Sequence, residues 1–160
     1  MEQNPSAKLA KADIPNTESV TEALSEVLSV TYRLVLKSHI CHWNVTGPLF
    51  YSIHEMTEAQ YTDMFAAADV LAERIRALGK PASVDPAGLA ASPDGQDPDA
   101  ELSANEMVRE LLSDHERLAL RLRALVETAK AAKDPVTADL ATERAAFHEK
   151  AAWMLRSTAA

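Results

Sequence analysis

Apolar residues recur at helical spacing in four long stretches of this chain, and the breaks between those stretches are unequal. Val20, Leu24, Val27, Leu28, Thr31, Leu34 and Val35 fall on one stripe, which predicts a first helix from about Thr17 to about Trp43. Ser19 and Glu22 make a capping box if that helix starts further in. The string Asn44 to Pro48 (NVTGP) ends it, because Gly47 admits positive φ and Pro48 suits the first position of a new helix. The second helix is expected from about Pro48 to Leu78, with Gly79 as its C-terminal cap and Pro81 as a stop. Ser103 and Glu106 form the capping box of a third helix, whose apolar face includes Met107, Leu111, Leu118, Leu122 and Leu125 and which ends near Lys133. Asp134 and Pro135 then supply an N-cap and a first-turn proline to a fourth helix, whose apolar residues are Val136, Leu140, Phe147, Ala151, Met154 and Leu155.

The connections decide the topology. Short breaks between helices 1 and 2, and between 3 and 4, make each pair antiparallel neighbours. The stretch 81–102 holds Pro81, Pro86, Gly88, Pro93, Gly95 and Pro98, and is long for a compact domain. It reads as a crossover along the bundle, with one short helix near Pro86 to Ala91. The expected fold is therefore all-α: a ferritin-like four-helix bundle with one long crossover between helices 2 and 3. Residues 1–15 read as a flexible polar tail and 16–160 as the single bundle domain.

Composition narrows the function. The chain carries 16 basic and 24 acidic residues, a net charge of −8, which repels phosphate backbones unless positive charge is clustered. Four glycines and no Gly-rich phosphate motif argue against a nucleotide-cradling loop. The single cysteine, Cys41, excludes an internal disulfide. No apolar run approaches the roughly 18–20 residues of a membrane span, and the N-terminus lacks a secretory apolar core. A cytoplasmic protein with no membrane partner is expected.

The histidines and carboxylates carry the chemistry. A bundle-interior di-iron site uses Glu-x-x-His on two helices, and no glutamate here has a histidine three residues later. Helix 2 offers another pattern: His54 and Glu58 are four apart, as are Asp69 and Glu73. All four lie within a stripe about 100° wide, yet Glu58 and Asp69 stand about 16 Å apart along the axis. One straight helix cannot use both pairs at one metal. Two antiparallel copies can, with His54 and Glu58 of one chain facing Asp69 and Glu73 of the other, twice per two-fold dimer. His42, twelve residues before His54, returns to the same end across the Gly47–Pro48 break. This imidazole–carboxylate set suits iron, manganese or zinc.

At these residues the sequence resembles a known family. The strings HWNVTGPLFYSIHEMTEAQY, DVLAERIRALG and HEKAAWMLRS resemble the Dps family (DNA-binding proteins from starved cells), the miniature ferritins, over nearly all of the folded chain. The resemblance implies a hollow shell of twelve subunits with ferroxidase centres at its two-fold interfaces. It maps the ligands onto His42, His54, Asp69 and Glu73, with Glu58 where the family usually has aspartate. It implies oxidation of Fe(II) by hydrogen peroxide, storage of the ferric product as mineral, and protection of DNA from oxidative damage. Trp43 matches a tryptophan beside the centre. Asp134 and Asp139 match the region of the iron uptake pore, with plain N-capping the competing role for Asp134. Weak DNA binding or none is expected, because Lys8 and Lys11 in the tail are balanced by Glu2 and Asp13. The competing functional class is a structural dodecamer that holds zinc or another divalent ion, or compacts DNA, without oxidising iron. His39 reads as a surface or interface histidine, with auxiliary ligation the alternative, Cys41 as a small packed residue and Trp153 as a core or subunit contact, while His115 and His148 have no assigned chemistry.

Overall fold

A computed structural model describes residues 14–85 and 99–158. Four helices account for most of them: α1 (Thr17–Asn44), α2 (Phe50–Ala77), α3 (Ala104–Ala131) and α4 (Pro135–Thr158). No strand occurs among the described residues. The ferritin-like four-helix bundle expected from the periodicity is the fold observed. The short helix expected near Pro86–Ala91 lies outside the described residues, as does the tail up to residue 13.

Local chemistry explains where each helix begins and ends. Asn16 enters α1 in a left-handed conformation, φ 55°, without a side-chain cap. Ser19 spends its hydroxyl on the Asn16 carbonyl at 3.2 Å, so the capping box with Glu22 does not form. The second helix starts at Phe50 and not at Pro48. Gly47 (φ 97°), Pro48 and Leu49 form a turn closed by the Phe50 N–H on the Gly47 carbonyl at 3.0 Å, and Leu49 is the first carbonyl to accept a helical bond. Gly79, φ 86°, ends α2 in a Schellman motif: its N–H reaches the Arg76 carbonyl, and that of Lys80 reaches Ile75. Ser103 and Glu106 form the predicted capping box of α3. Lys133 repeats the Schellman geometry at the end of α3 with φ 56°, a conformation that costs a non-glycine residue about 1 kcal/mol.

The helices pair as the connections require, α1 with α2 and α3 with α4, and α1 joins the pairs by packing on α3. The core is a continuous apolar cluster that includes Leu24, Leu28, Ile53, Met64, Leu71, Leu118 and Leu122. Val136 and Met154 were expected on the buried face of α4 but stand 57% and 37% exposed. The alanines Ala138, Ala141, Ala145, Ala151 and Ala152 occupy that face instead, letting α4 approach its neighbours closely. Polar ties between helices, each with at least one largely buried partner, fix the register. Lys37 bonds Glu110 at 3.1 Å and also pairs with Asp114, Arg144 pairs with Asp63 at 2.7 Å, and Arg74 pairs with Asp134 at 2.8 Å. The crossover begins over α1, where the Asp85 N–H donates to the Ser29 hydroxyl at 3.3 Å. None of the described helices is long and apolar enough to cross a membrane.

Candidate metal centre

The tight break at residues 45–49 folds the end of α1 back onto the start of α2, and this sets His42 against His54. Their rings stack with centroids 3.7 Å apart and planes 15° from parallel. The two histidines hold one another reciprocally. Nδ1 of His42 donates to the His54 carbonyl at 2.9 Å, and Nδ1 of His54 donates to the His42 carbonyl at 2.8 Å. A carbonyl only accepts, so each neutral ring carries its proton on Nδ1 and presents a bare lone pair at Nε2. That is the tautomer a metal-ligating imidazole needs, fixed here by the backbone.

Glu58 completes the cluster from one turn further along α2. One ligand atom each from His42, His54 and Glu58 lies within 4.8 Å of the others, and this is the one such group of three among the described residues. Its burial is graded: His42 is buried, His54 half-buried and Glu58 exposed. A ligand ion would sit at the surface of the chain with one side open. Thr57 stiffens the floor by donating to the Ile53 and His54 carbonyls at 2.7 and 3.0 Å.

Asp69 and Glu73 are not brought to this cluster. Both are exposed on α2, and His54 and Asp69 are fifteen residues apart, about 22 Å along a straight helix. Within one chain they stand as a second, separate acidic pair on the same side of the helix. Asp134 is fully buried and accepts from the Thr137 N–H at 3.0 Å and from Arg74 at 2.8 Å, so its carboxylate serves the α4 cap. Asp139 is exposed on the second turn of α4.

Aromatic residues surround the histidines in a way that spacing alone does not reveal. His39 stacks on Trp43 (5.2 Å, planes 11° apart) and also contacts Tyr61 (3.9 Å), and Tyr61 meets His42 edge-on at 5.3 Å. Burial and the neighbouring His42 lower the pKa of His39. Trp43 itself is 63% exposed. The i,i+3 and i,i+4 offsets from His39 to His42 and Trp43 are readable in the sequence, but the insertion of Tyr61 depends on how α1 and α2 pack.

Fold and site together define a ferritin-like bundle bearing a histidine–carboxylate cluster at the α1–α2 hairpin. The ferritin-like domain family matches residues 21–160. The DNA protection during starvation protein of Brevibacillus brevis is 35% identical over 130 residues, covering 78% of this chain and 83% of its own length. The structure of Dps from Staphylococcus aureus superposes with a TM-score of 0.84 at 30% identity, over 91% of this chain and 98% of that one. A Dps structure from Vibrio cholerae O1, described as a member of a broad superfamily of ferritin-like diiron-carboxylate proteins, gives 0.79 at 26% identity over 88% of each chain. The chain belongs to the ferritin-like family and, within it, to the Dps miniature ferritins.

Proposed function

We propose that this protein is a ferroxidase that takes Fe(II) as substrate, oxidises it with hydrogen peroxide, and stores the ferric product inside a dodecameric shell, sparing DNA from oxidative damage. The observation that carries this reading is the division of the ligand set. His42, His54 and Glu58 converge in one chain with both Nε2 lone pairs available, while Asp69 and Glu73 wait, exposed, further along the same helix. An antiparallel second copy would lay its Asp69 and Glu73 over the first chain's histidines, and the reverse, giving two equal sites.

In this scheme each residue has a distinct role. The two histidines would bind through Nε2, with Nδ1 held by the backbone carbonyls. Glu58 and the partner chain's carboxylates bring negative charge that favours Fe(III) over Fe(II), which lowers the barrier to losing an electron. Two Fe(II) each give up one electron, and one hydrogen peroxide takes both as its O–O bond breaks, so no hydroxyl radical is released. Glu58 has one methylene more than the aspartate of the family pattern and still reaches both histidines. Asp139 is the residue we assign to iron uptake, since Asp134 is committed to its cap. Zinc is a competitor for the same ligands and not the working metal. DNA contact is weak, given a net charge of −8.

The test follows Fe(II) oxidation by near-ultraviolet ferric absorbance, with peroxide and oxygen added in separate anaerobic runs. Peroxide-driven oxidation far above the protein-free control, lost in His54→Ala while the shell persists, is the expected result. Oxidation no faster than the control would overturn the ferroxidase reading in favour of a divalent-ion-binding shell.

A further inference from the structure

Outside the metal cluster the bundle buries a second histidine pair. His115 of α3 and His148 of α4 are 0% and 1% exposed, and their Nδ1 atoms lie 2.9 Å apart. Two neutral rings can meet nitrogen to nitrogen at this distance only if one donates N–H and the other offers a lone pair, so the two histidines hold opposite tautomers. One ring donates its Nδ1 proton and the other receives it at a bare Nδ1, its own proton being on Nε2. Nε2 of His115 is buried with no hydrogen-bond partner.

The carboxylate beside the pair is already ion-paired with two cations. On α3 the pair faces Asp114, ion-paired with Lys37 of α1 and hydrogen-bonded to Arg117, with its Oδ2 buried and accepting no hydrogen bond. Arg33 of α1 lines the same crevice as Lys37, Asp114 and Arg117, and Glu110 is held by Lys37. On α4 the pair faces Arg144, whose partner is Asp63 of α2. The Arg144 guanidinium lies 4.3 Å from the centre of the Phe147 ring, and that ring meets His148 edge-on at 5.0 Å. A charged imidazole here is desolvated and sits beside a guanidinium.

We propose that the His115–His148 contact is an acid-labile latch, in which one shared proton closes α3 onto α4 and further protonation releases that helix pair. Burial, outweighing the pull of Asp114 and helped by Arg144, lowers the His115 pKa to about 4; burial, His115 and Arg144 lower that of His148 as well. Folded pKa values below the ordinary 6.5 mean that the latch contributes fully above pH 6.5 and is lost as pH falls below it.

Hydrogen exchange on the intact shell at pH 7.5 and pH 5.0, corrected for intrinsic rates, tests this. Opening of α3 and α4 amides should increase by about 30-fold if one ring gains a proton on opening and about 800-fold if both do. Amides of the α1–α2 hairpin away from its histidines should change less. The His115→Leu/His148→Leu double variant should lose most of this acid sensitivity in α3 and α4; retention of the wild-type response would overturn the proposal. A second test does not depend on a variant folding. Nitrogen NMR of histidine-labelled wild-type protein should show opposite tautomers for the two residues, neither titrating between pH 7.5 and 5.5. Identical tautomers, or an ordinary titration near pH 6.5 in the folded shell, would refute it.

Discussion

Replacing Asp134 by alanine separates a structural role for this carboxylate from a role in iron uptake. The side chain is fully buried and bonds the Thr137 N–H, the Thr137 hydroxyl and Arg74 at once. Loss of an N-cap costs about 1 kcal/mol. Removing one partner of a buried ion pair costs about 3–5 kcal/mol, because the other charge is left behind. The two losses share the same oxygens and do not add in full, so about 3–5 kcal/mol is expected in total. At about 2–4 °C per kcal/mol for a chain of this size, the melting midpoint should fall by about 6–20 °C at fixed protein concentration. Asp134→Asn keeps an acceptor for the Thr137 N–H and should recover about 1 kcal/mol of that loss. Burial alone would raise the Asp134 pKa, but bonds from Thr137 and Arg74 lower it overall. Its stabilisation is therefore present above about pH 4 and is lost as pH falls through the lowered folded value. The gap between wild type and Asp134→Ala should stay constant from pH 7 to about 4 and close below. Scanning calorimetry across that range is the assay. A midpoint within 2 °C of wild type, together with slowed iron uptake in Asp134→Asn, would refute the reasoning and restore a pore role.

Other predictions follow from single positions. Lys133→Gly relieves a left-handed residue at the end of α3 and should stabilise the protein by about 0.5–1 kcal/mol in chemical denaturation; no gain would mean that φ 56° is not strained there. Glu58→Ala should weaken Co(II) binding at least about tenfold by titration of the visible bands, whereas Glu58→Asp should retain binding; equal affinity in the alanine variant would remove Glu58 from the ligand set. Duplex DNA should show no nanomolar gel shift at about 150 mM salt, and a tight shift there would place positive charge on the surface that the sequence balance conceals.

The helices were legible because their ends are written in local chemistry. Gly79, Ser103 with Glu106, and Asp134 with Pro135 announce caps that need no tertiary information. Pro48 misled by two residues, since a proline after Gly47 serves a turn as readily as a helix start. The apolar stripe of α1 was readable from its large residues, but α4 presents its alanines to the core, and alanine carries little weight in a periodicity argument. At the site, the i,i+4 spacing and the tight break sufficed to place His54 and Glu58 together and to bring in His42. The reciprocal carbonyl bonds and the insertion of Tyr61 depend on helix packing, which no spacing encodes. The same holds for His115 and His148, thirty-three residues apart and joined only by the register of α3 against α4.

The most direct test of a site shared between two chains is complementation. His54→Ala and Glu73→Ala should each abolish peroxide-driven Fe(II) oxidation in a shell of one variant. Shells assembled from equal amounts of both variants should recover about one quarter of the wild-type activity, because one chain can supply an intact His42–His54–Glu58 cluster to a partner's intact Asp69 and Glu73. Mixed shells as inactive as either parent would contradict the account, since every ligand would then have to come from a single chain.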